Sequence, residues 1–119
     1  MKPIRRNKDR LARQIISMAT NTISIYRPLC ETLGLSDGCL YGKVALADLL
    51  LHVDFTAKLR SILCYVGLYK PNNGRYSHQM NQASQSLAIS YYRKRRVKAK
   101  EVRQLVRKIR NYVRAGGPV

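Results

Sequence analysis

The chain has 119 residues, enough for one domain with an arm or a tail, and its 45% hydrophobic content excludes wholesale disorder. No apolar run is long enough to span a bilayer, since the longest, Val44 to Leu51, already contains Asp48. The basic N-terminus is not followed by a cleavable apolar segment. We therefore expect an intracellular protein, in the cytoplasm, the nucleoid or the nucleus.

Positive charge is concentrated at the two ends of the sequence. The formal net charge is +17, of which residues 93–119, with eleven bases and one acid, carry +10. Residues 1–13 hold six bases and one acid, for +5, and residues 14–92 carry only +2. These changes in charge along the sequence divide the chain into a basic N-terminal arm (1–13), a helical core domain (14–92) and a basic C-terminal helix (93–119).

The sequence of the first half of the chain predicts a series of helices. One begins near residues 7–9 and continues to about residue 26, although residues 20–25 are poor helix formers. Pro28 places a boundary at Arg27 and starts a short helix that ends before Gly34. After a turn at 36–38, an apolar helix covers 43–52, and Asp54 is the expected N-cap of another over 55–66.

The second half predicts a hairpin and two more helices. The pair Asn73-Gly74 favours a tight turn between short strand-like segments, which gives a β-hairpin near 68–77. A helix over 80–92 follows and continues through 93–96 into the last helix. Apolar residues recur there at helical spacing, namely Val102, Leu105, Val106, Ile109 and Val113. The predicted class is mainly α: a small helical domain with one short β-hairpin and a basic C-terminal helix.

The order of a short helix, a second helix with surface bases, and a hairpin resembles the winged helix-turn-helix pattern. The resemblance covers residues 43–77 at superfamily level, and the matching text, residues 59–76, is LRSILCYVGLYKPNNGRY. It implies that the second helix contacts DNA and that the hairpin is a wing. The chain departs from the pattern at 40–53, which is more apolar than a usual first helix. The alternative is an ordinary core helix followed by an ordinary hairpin.

Tyrosines accompany the bases at two places. The chain has eight Tyr, one Phe and no Trp. Tyr69 and Tyr76 flank the predicted hairpin, and Tyr91 and Tyr92 precede the run Arg-Lys-Arg-Arg. Aromatic rings among bases can stack on unpaired nucleobases. The alternative is that each ring is half-buried with its hydroxyl at the surface.

The sequence predicts no catalytic, metal or cofactor site. Its acids are few and scattered, and no glycine-rich phosphate loop is present. Cys30, Cys39 and Cys64 form no CxxC pair, so we expect buried free thiols in place of a zinc site. We expect no enzyme, and an enzyme acting on nucleic acid is disfavoured because no acid pair stands out.

A protein keeps so large an electrostatic repulsion among its own bases when a polyanion neutralises them. Nucleic acid is the leading candidate for that polyanion, because binding to phosphates releases their condensed counterions. We expect a nucleic-acid-binding protein, for example a DNA-binding regulator. The alternative is a structural RNA-binding component of a ribonucleoprotein or viral nucleocapsid. Homo-oligomers or assembly neighbours are further expected partners; a membrane and a small-molecule substrate are not. The candidate nucleic-acid-binding residues are Arg5, Arg6, Lys58, Arg60, Lys70, Arg75, Arg93, Lys94, Arg95, Arg96, Lys98, Lys100, Arg103, Arg107, Lys108, Arg110 and Arg114.

Overall fold

The computed structural model describes residues 2–35, 39–69 and 76–116, with the backbone alone for residues 2–8. These residues form six α-helices: α1 (Lys2–Thr22), α2 (Tyr26–Thr32), α3 (Leu40–His52), α4 (Leu59–Tyr65), α5 (His78–Tyr92) and α6 (Ala99–Arg114). The prediction of a mainly α protein is confirmed. None of the described helices combines the length and the apolar composition that crossing a membrane requires.

Helices α3 and α5 form the central pair of the fold. Helix α3 is apolar on most of its circumference and buries Ala45, Leu46 and Leu49, as expected for a helix enclosed by its neighbours. Gly42 lies against Ser90 of α5, and a Cβ atom at Gly42 would come within 2.5 Å of the Ser90 Cβ. The absence of a side chain at Gly42 therefore allows the two helices to approach closely.

Helices α1 and α2 cover one side of this pair. The Tyr26 hydroxyl donates a hydrogen bond of 2.8 Å to the Lys43 carbonyl, which joins α2 to α3. The break between α1 and α2 falls at residues 23–25 and not at Arg27 as predicted. Pro28 lies in the first turn of α2, where its missing N–H costs no helical hydrogen bond.

The predicted β-hairpin and the winged-helix resemblance are wrong, because the described residues contain no β-strand. The residues on both sides of the predicted turn close α4 instead. Gly67 has a φ of +78°, and the Leu68 N–H donates to the Leu63 carbonyl at 2.8 Å, an arrangement typical of a helix C-terminus. The Ser77 N–H donates to the Tyr65 carbonyl at 2.8 Å. The turn itself, Asn73-Gly74, lies outside the described residues.

Other helix boundaries also differ from the predictions: α1 begins at Lys2 and not near residues 7–9, and α3 begins at Leu40 and not at residue 43. Helix α4 begins at Leu59 and not at residue 55, because the Asp54 carboxylate accepts a hydrogen bond from the Thr56 N–H and so holds a local turn. Helix α5 ends at Tyr92, because Arg93 after it has a left-handed φ of 57°, so residues 93–98 form a linker and do not continue the helix. The Ser77 Oγ caps the start of α5 by accepting the Met80 N–H at 3.2 Å.

Candidate nucleic-acid interface

Helix α6 has one buried side and one basic side. Val102, Leu105, Val106 and Ile109 are each at most 2% exposed and pack in the core with residues of α4 and α5. Bases at intervals of four, three and four residues share a flank next to this stripe. They are Arg103, Arg107, Arg110 and Arg114. We call these four residues the α6 basic flank, and the buried stripe holds their helix in place.

The four arginines of this flank have different surroundings. Arg107 and Arg114 are exposed, whereas Arg103 and Arg110 are half-buried. The Arg110 Nε donates a hydrogen bond of 2.8 Å to the Ala57 carbonyl in the segment between α3 and α4. Arg110 therefore joins α6 to that segment, a structural contact that the sequence does not indicate.

A groove lies beside the N-terminal turn of α6. Gly67, Leu68 and Tyr69 line it from the end of α4, and Ala99 and Arg103 line it from α6. Tyr69 is half-buried, so part of its ring contributes to the surface.

Arg60 belongs to the same area, because its guanidinium carbon lies 5.1 Å from the centre of the Tyr69 ring. The fold thus brings Arg60, Tyr69 and Arg103 into one region, although they are far apart in the sequence.

The linker 93–98 adds exposed bases, and the single acid nearby is already engaged. The Glu101 carboxylate accepts a hydrogen bond of 2.8 Å from Lys94 Nζ and one of 3.0 Å from the Lys98 backbone N–H. These two bonds, that from Lys94 first, hold the pKa of Glu101 below its usual range. Glu101 therefore caps the start of α6 and neutralises Lys94, while Arg95 and Arg96 remain exposed.

The two tyrosines before the linker pack α5 against α6. Lys108 Nζ lies 2.8 Å from the Tyr91 hydroxyl and 5.2 Å from the centre of its ring. The Tyr92 hydroxyl donates to the Glu101 carbonyl at 3.2 Å, and burial raises the pKa of Tyr92. Both rings are half-buried and meet edge to face, 4.8 Å apart. Lys108 is therefore engaged with Tyr91, as Lys94 is with Glu101.

The remaining candidate residues are spread over the surface or lie outside the described residues. Lys58 is exposed at the N-cap of α4, and Lys98 and Lys100 are exposed at the start of α6. Arg5 and Arg6 lie on α1, where only the backbone is described, and Lys70 and Arg75 lie outside the described residues.

Several bases around α6 have no acidic partner within the described part of the chain, where the one acid beside them, Glu101, is paired with Lys94. We call these residues the unpaired cations: Arg93, Arg95, Arg96, Lys100, Arg103, Arg107 and Arg114. Two exposed bases of α1, Arg10 and Arg13, were counted in the charge of the N-terminal arm but not selected as candidates. They flank a shallow surface depression with Asp9 and Gln14. The sequence could have indicated this pair, because two bases three residues apart on a helix lie on the same face.

Within residues 2–35, 39–69 and 76–116, no three His, Cys, Asp or Glu side chains lie close enough to hold a metal ion. None of the three cysteines forms a disulfide within the described residues; Cys30 is buried and the other two are half-buried. Comparison of the chain with protein-family models, with curated proteins and with solved structures found no match.

Proposed function

We propose that this is a non-enzymatic, intracellular nucleic-acid-binding protein, and that the α6 basic flank and the preceding linker contact the phosphate backbone. One observation carries the proposal: the unpaired cations lie on and beside a helix that its buried stripe fixes to the core. Like charges along one flank weaken a helix by a few tenths of a kcal/mol per pair. Bound phosphates would offset that repulsion.

The dimensions of the flank suit a run of phosphates. Arg103 and Arg114 are separated by about 16 Å along the helix axis at ~1.5 Å per residue. The major groove of B-DNA is about 12 Å wide, so a flank of this length can reach the phosphates that border one groove. Contacts of this kind position a protein on the backbone without reading bases, so binding that is largely independent of sequence is expected.

A structural RNA-binding component of a larger assembly is the second candidate function. The observation that favours it is an exposed apolar stripe on α1, formed by Leu11, Ile15 and Met18, which suits a protein neighbour. Both candidates use the same phosphate contacts, so the α6 basic flank is tested first.

The test compares two triple variants with the same net charge. One replaces Arg103, Arg107 and Arg114 with Gln; the matched control replaces Arg10, Arg13 and Arg27. Fluorescence anisotropy is measured with matched duplex DNA, duplex RNA and single strands at 0.1 M salt. Each lost phosphate contact should cost roughly eightfold in affinity under these conditions. The first variant should therefore lose ~100-fold or more, and the control less than ~10-fold. Equal losses would mean that net charge alone drives binding and that the α6 basic flank is not the interface.

A further inference from the structure

Helix α1 carries an exposed apolar stripe next to the side that packs on the core. The exposed fractions are 58% for Leu11, 39% for Ile15 and 66% for Met18, and Thr22 next in the series is also exposed. The intervals of four, three and four residues alternate in the same way as the a and d positions of a coiled-coil seam. We call these four residues the α1 seam.

The core of the chain uses a different side of α1. Ala12 and Ala19 are buried, and Ile16 and Ile23 are half-buried and pack against the core. Because α1 meets α2 and α3 through these residues, the α1 seam has no partner within the described part of the chain. A helix with two apolar sides, one of them covered, presents the other to a second molecule.

The charges of α1 indicate how that second molecule lies. Residues 2–13 carry six bases and Asp9, a balance of +5, whereas residues 14–22 contain no charged side chain. A parallel pair of such helices would place the two basic halves side by side. An antiparallel pair carries the two basic halves to opposite ends, each extending past the neutral end of its partner, so charge selects the orientation.

We propose that the α1 seam pairs antiparallel with the α1 seam of a second copy of this chain. In the register that buries most apolar surface, Ile15 lies against the partner's Met18, and Leu11 lies against the partner's Thr22. This arrangement is self-complementary about a two-fold axis between residues 16 and 17, as a closed dimer requires. It stands independently of the proposed nucleic-acid binding. Because each copy carries +17, salt that screens this repulsion should strengthen the dimer.

The first experiment is analytical ultracentrifugation of the nuclease-treated full chain at 0.1 and 0.5 M salt. Leu11→Gln is compared with Leu51→Gln, because Leu51 is similarly exposed, at 60%, but lies on α3 away from the α1 seam. We expect a concentration-dependent dimer, tighter at 0.5 M salt, that Leu11→Gln weakens more than tenfold and Leu51→Gln leaves intact. A monomer at every concentration, or equal effects of the two variants, would overturn the proposal. Binding of a monomeric chain to anionic phosphatidylserine vesicles that only Leu11→Gln abolishes would also overturn it, in favour of a membrane-facing seam.

The orientation is tested by disulfide exchange. In a chain with Cys39→Ser and Cys64→Ser, the variants Ile15→Cys and Met18→Cys are mixed in glutathione buffer. The antiparallel register predicts that the mixed disulfide predominates. A predominance of the two homodisulfides would overturn the antiparallel arrangement.

Discussion

Arg107 and Arg110 are three residues apart on the α6 basic flank, and replacing each with Gln separates binding from folding. Arg107 is exposed and has no acidic partner within the described residues, whereas the half-buried Arg110 donates a 2.8 Å hydrogen bond to the Ala57 carbonyl. The two substitutions remove the same charge from the same helix. Each variant therefore controls for the other.

The expected magnitudes follow from these surroundings. Arg107→Gln removes one phosphate contact, which should lower affinity roughly eightfold at 0.1 M salt and make the slope of log K against log salt shallower by ~0.9. Its melting temperature should not change. Arg110→Gln removes a charged donor and leaves the Ala57 carbonyl unpaired, at a cost of about 1–2 kcal/mol in the free energy of unfolding. For a chain of this size that cost lowers the melting temperature by about 4–8 °C.

Thermal unfolding by circular dichroism and anisotropy titrations with a fixed duplex measure the two effects on the same preparations. A stable Arg110→Gln protein would show that the bond to Ala57 does not hold α6 in place. A normal affinity of Arg107→Gln, measured on folded protein, would remove the exposed part of the α6 basic flank from the interface.

Three further predictions test the contact between α3 and α5, the cap of α6 and the place of α6 in the core. Gly42→Ala should lower the free energy of unfolding by about 1–3 kcal/mol in chemical denaturation, because its methyl group meets Ser90, and adding Ser90→Gly should restore much of the loss. Because the pKa of Glu101 is lower in the folded than in the unfolded chain, its hydrogen bonds contribute stability above the unfolded pKa, and that contribution is lost as pH falls through the folded pKa. The melting temperature of wild type should therefore exceed that of Glu101→Gln at pH 7, and the difference should shrink as pH falls below about 4.3, the ordinary pKa of glutamate. Equal differences at pH 7 and pH 3 would contradict this assignment. Deleting residues 93–119 should abolish cooperative unfolding, because the deleted stripe fills the core; a sharp transition would show that residues 1–92 fold alone.

The part of the fold that periodicity specifies could be predicted from the sequence. The stripe of α6 was evident because Val102, Leu105, Val106 and Ile109 recur at helical intervals, and these residues are buried. Val113, the last member of the predicted stripe, is half-buried near the end of the helix. Amphipathic spacing is a local property, so no knowledge of the neighbouring helices was needed.

The sequence could not establish whether the β-hairpin forms, because a turn signal does not determine whether the segments on either side of the turn pair as β-strands. Asn73-Gly74 is a strong local signal, yet the neighbouring Leu68 N–H closes α4 on the Leu63 carbonyl. The end of α5 was missed for a related reason. A left-handed arginine is uncommon, and Arg93 adopts that conformation where the Lys94 N–H donates to the Ile89 carbonyl at 3.2 Å and closes α5.

Only part of the candidate nucleic-acid interface could be predicted from the sequence. Charge counting located the bases of α6, because charge density needs no tertiary information. It could not distinguish Arg107 from Arg110, nor bring Arg60 beside Tyr69 at the groove that Arg103 lines. These relations depend on how α4 and α6 pack, which a single sequence does not specify.

The salt dependence of nucleic-acid affinity tests the central claim most directly. The unpaired cations beside and on α6 are seven, namely Arg93, Arg95, Arg96, Lys100, Arg103, Arg107 and Arg114. If each neutralises one phosphate of a duplex, the slope of log K against log salt is about −6, and affinity falls by more than ~10³-fold between 50 and 200 mM salt. Titration of the full chain at four salt concentrations measures that slope. A slope near −6 that becomes shallower by ~3 in the variant lacking Arg103, Arg107 and Arg114 supports phosphate binding by α6. A flat response, or a slope that the variant leaves unchanged, would contradict it.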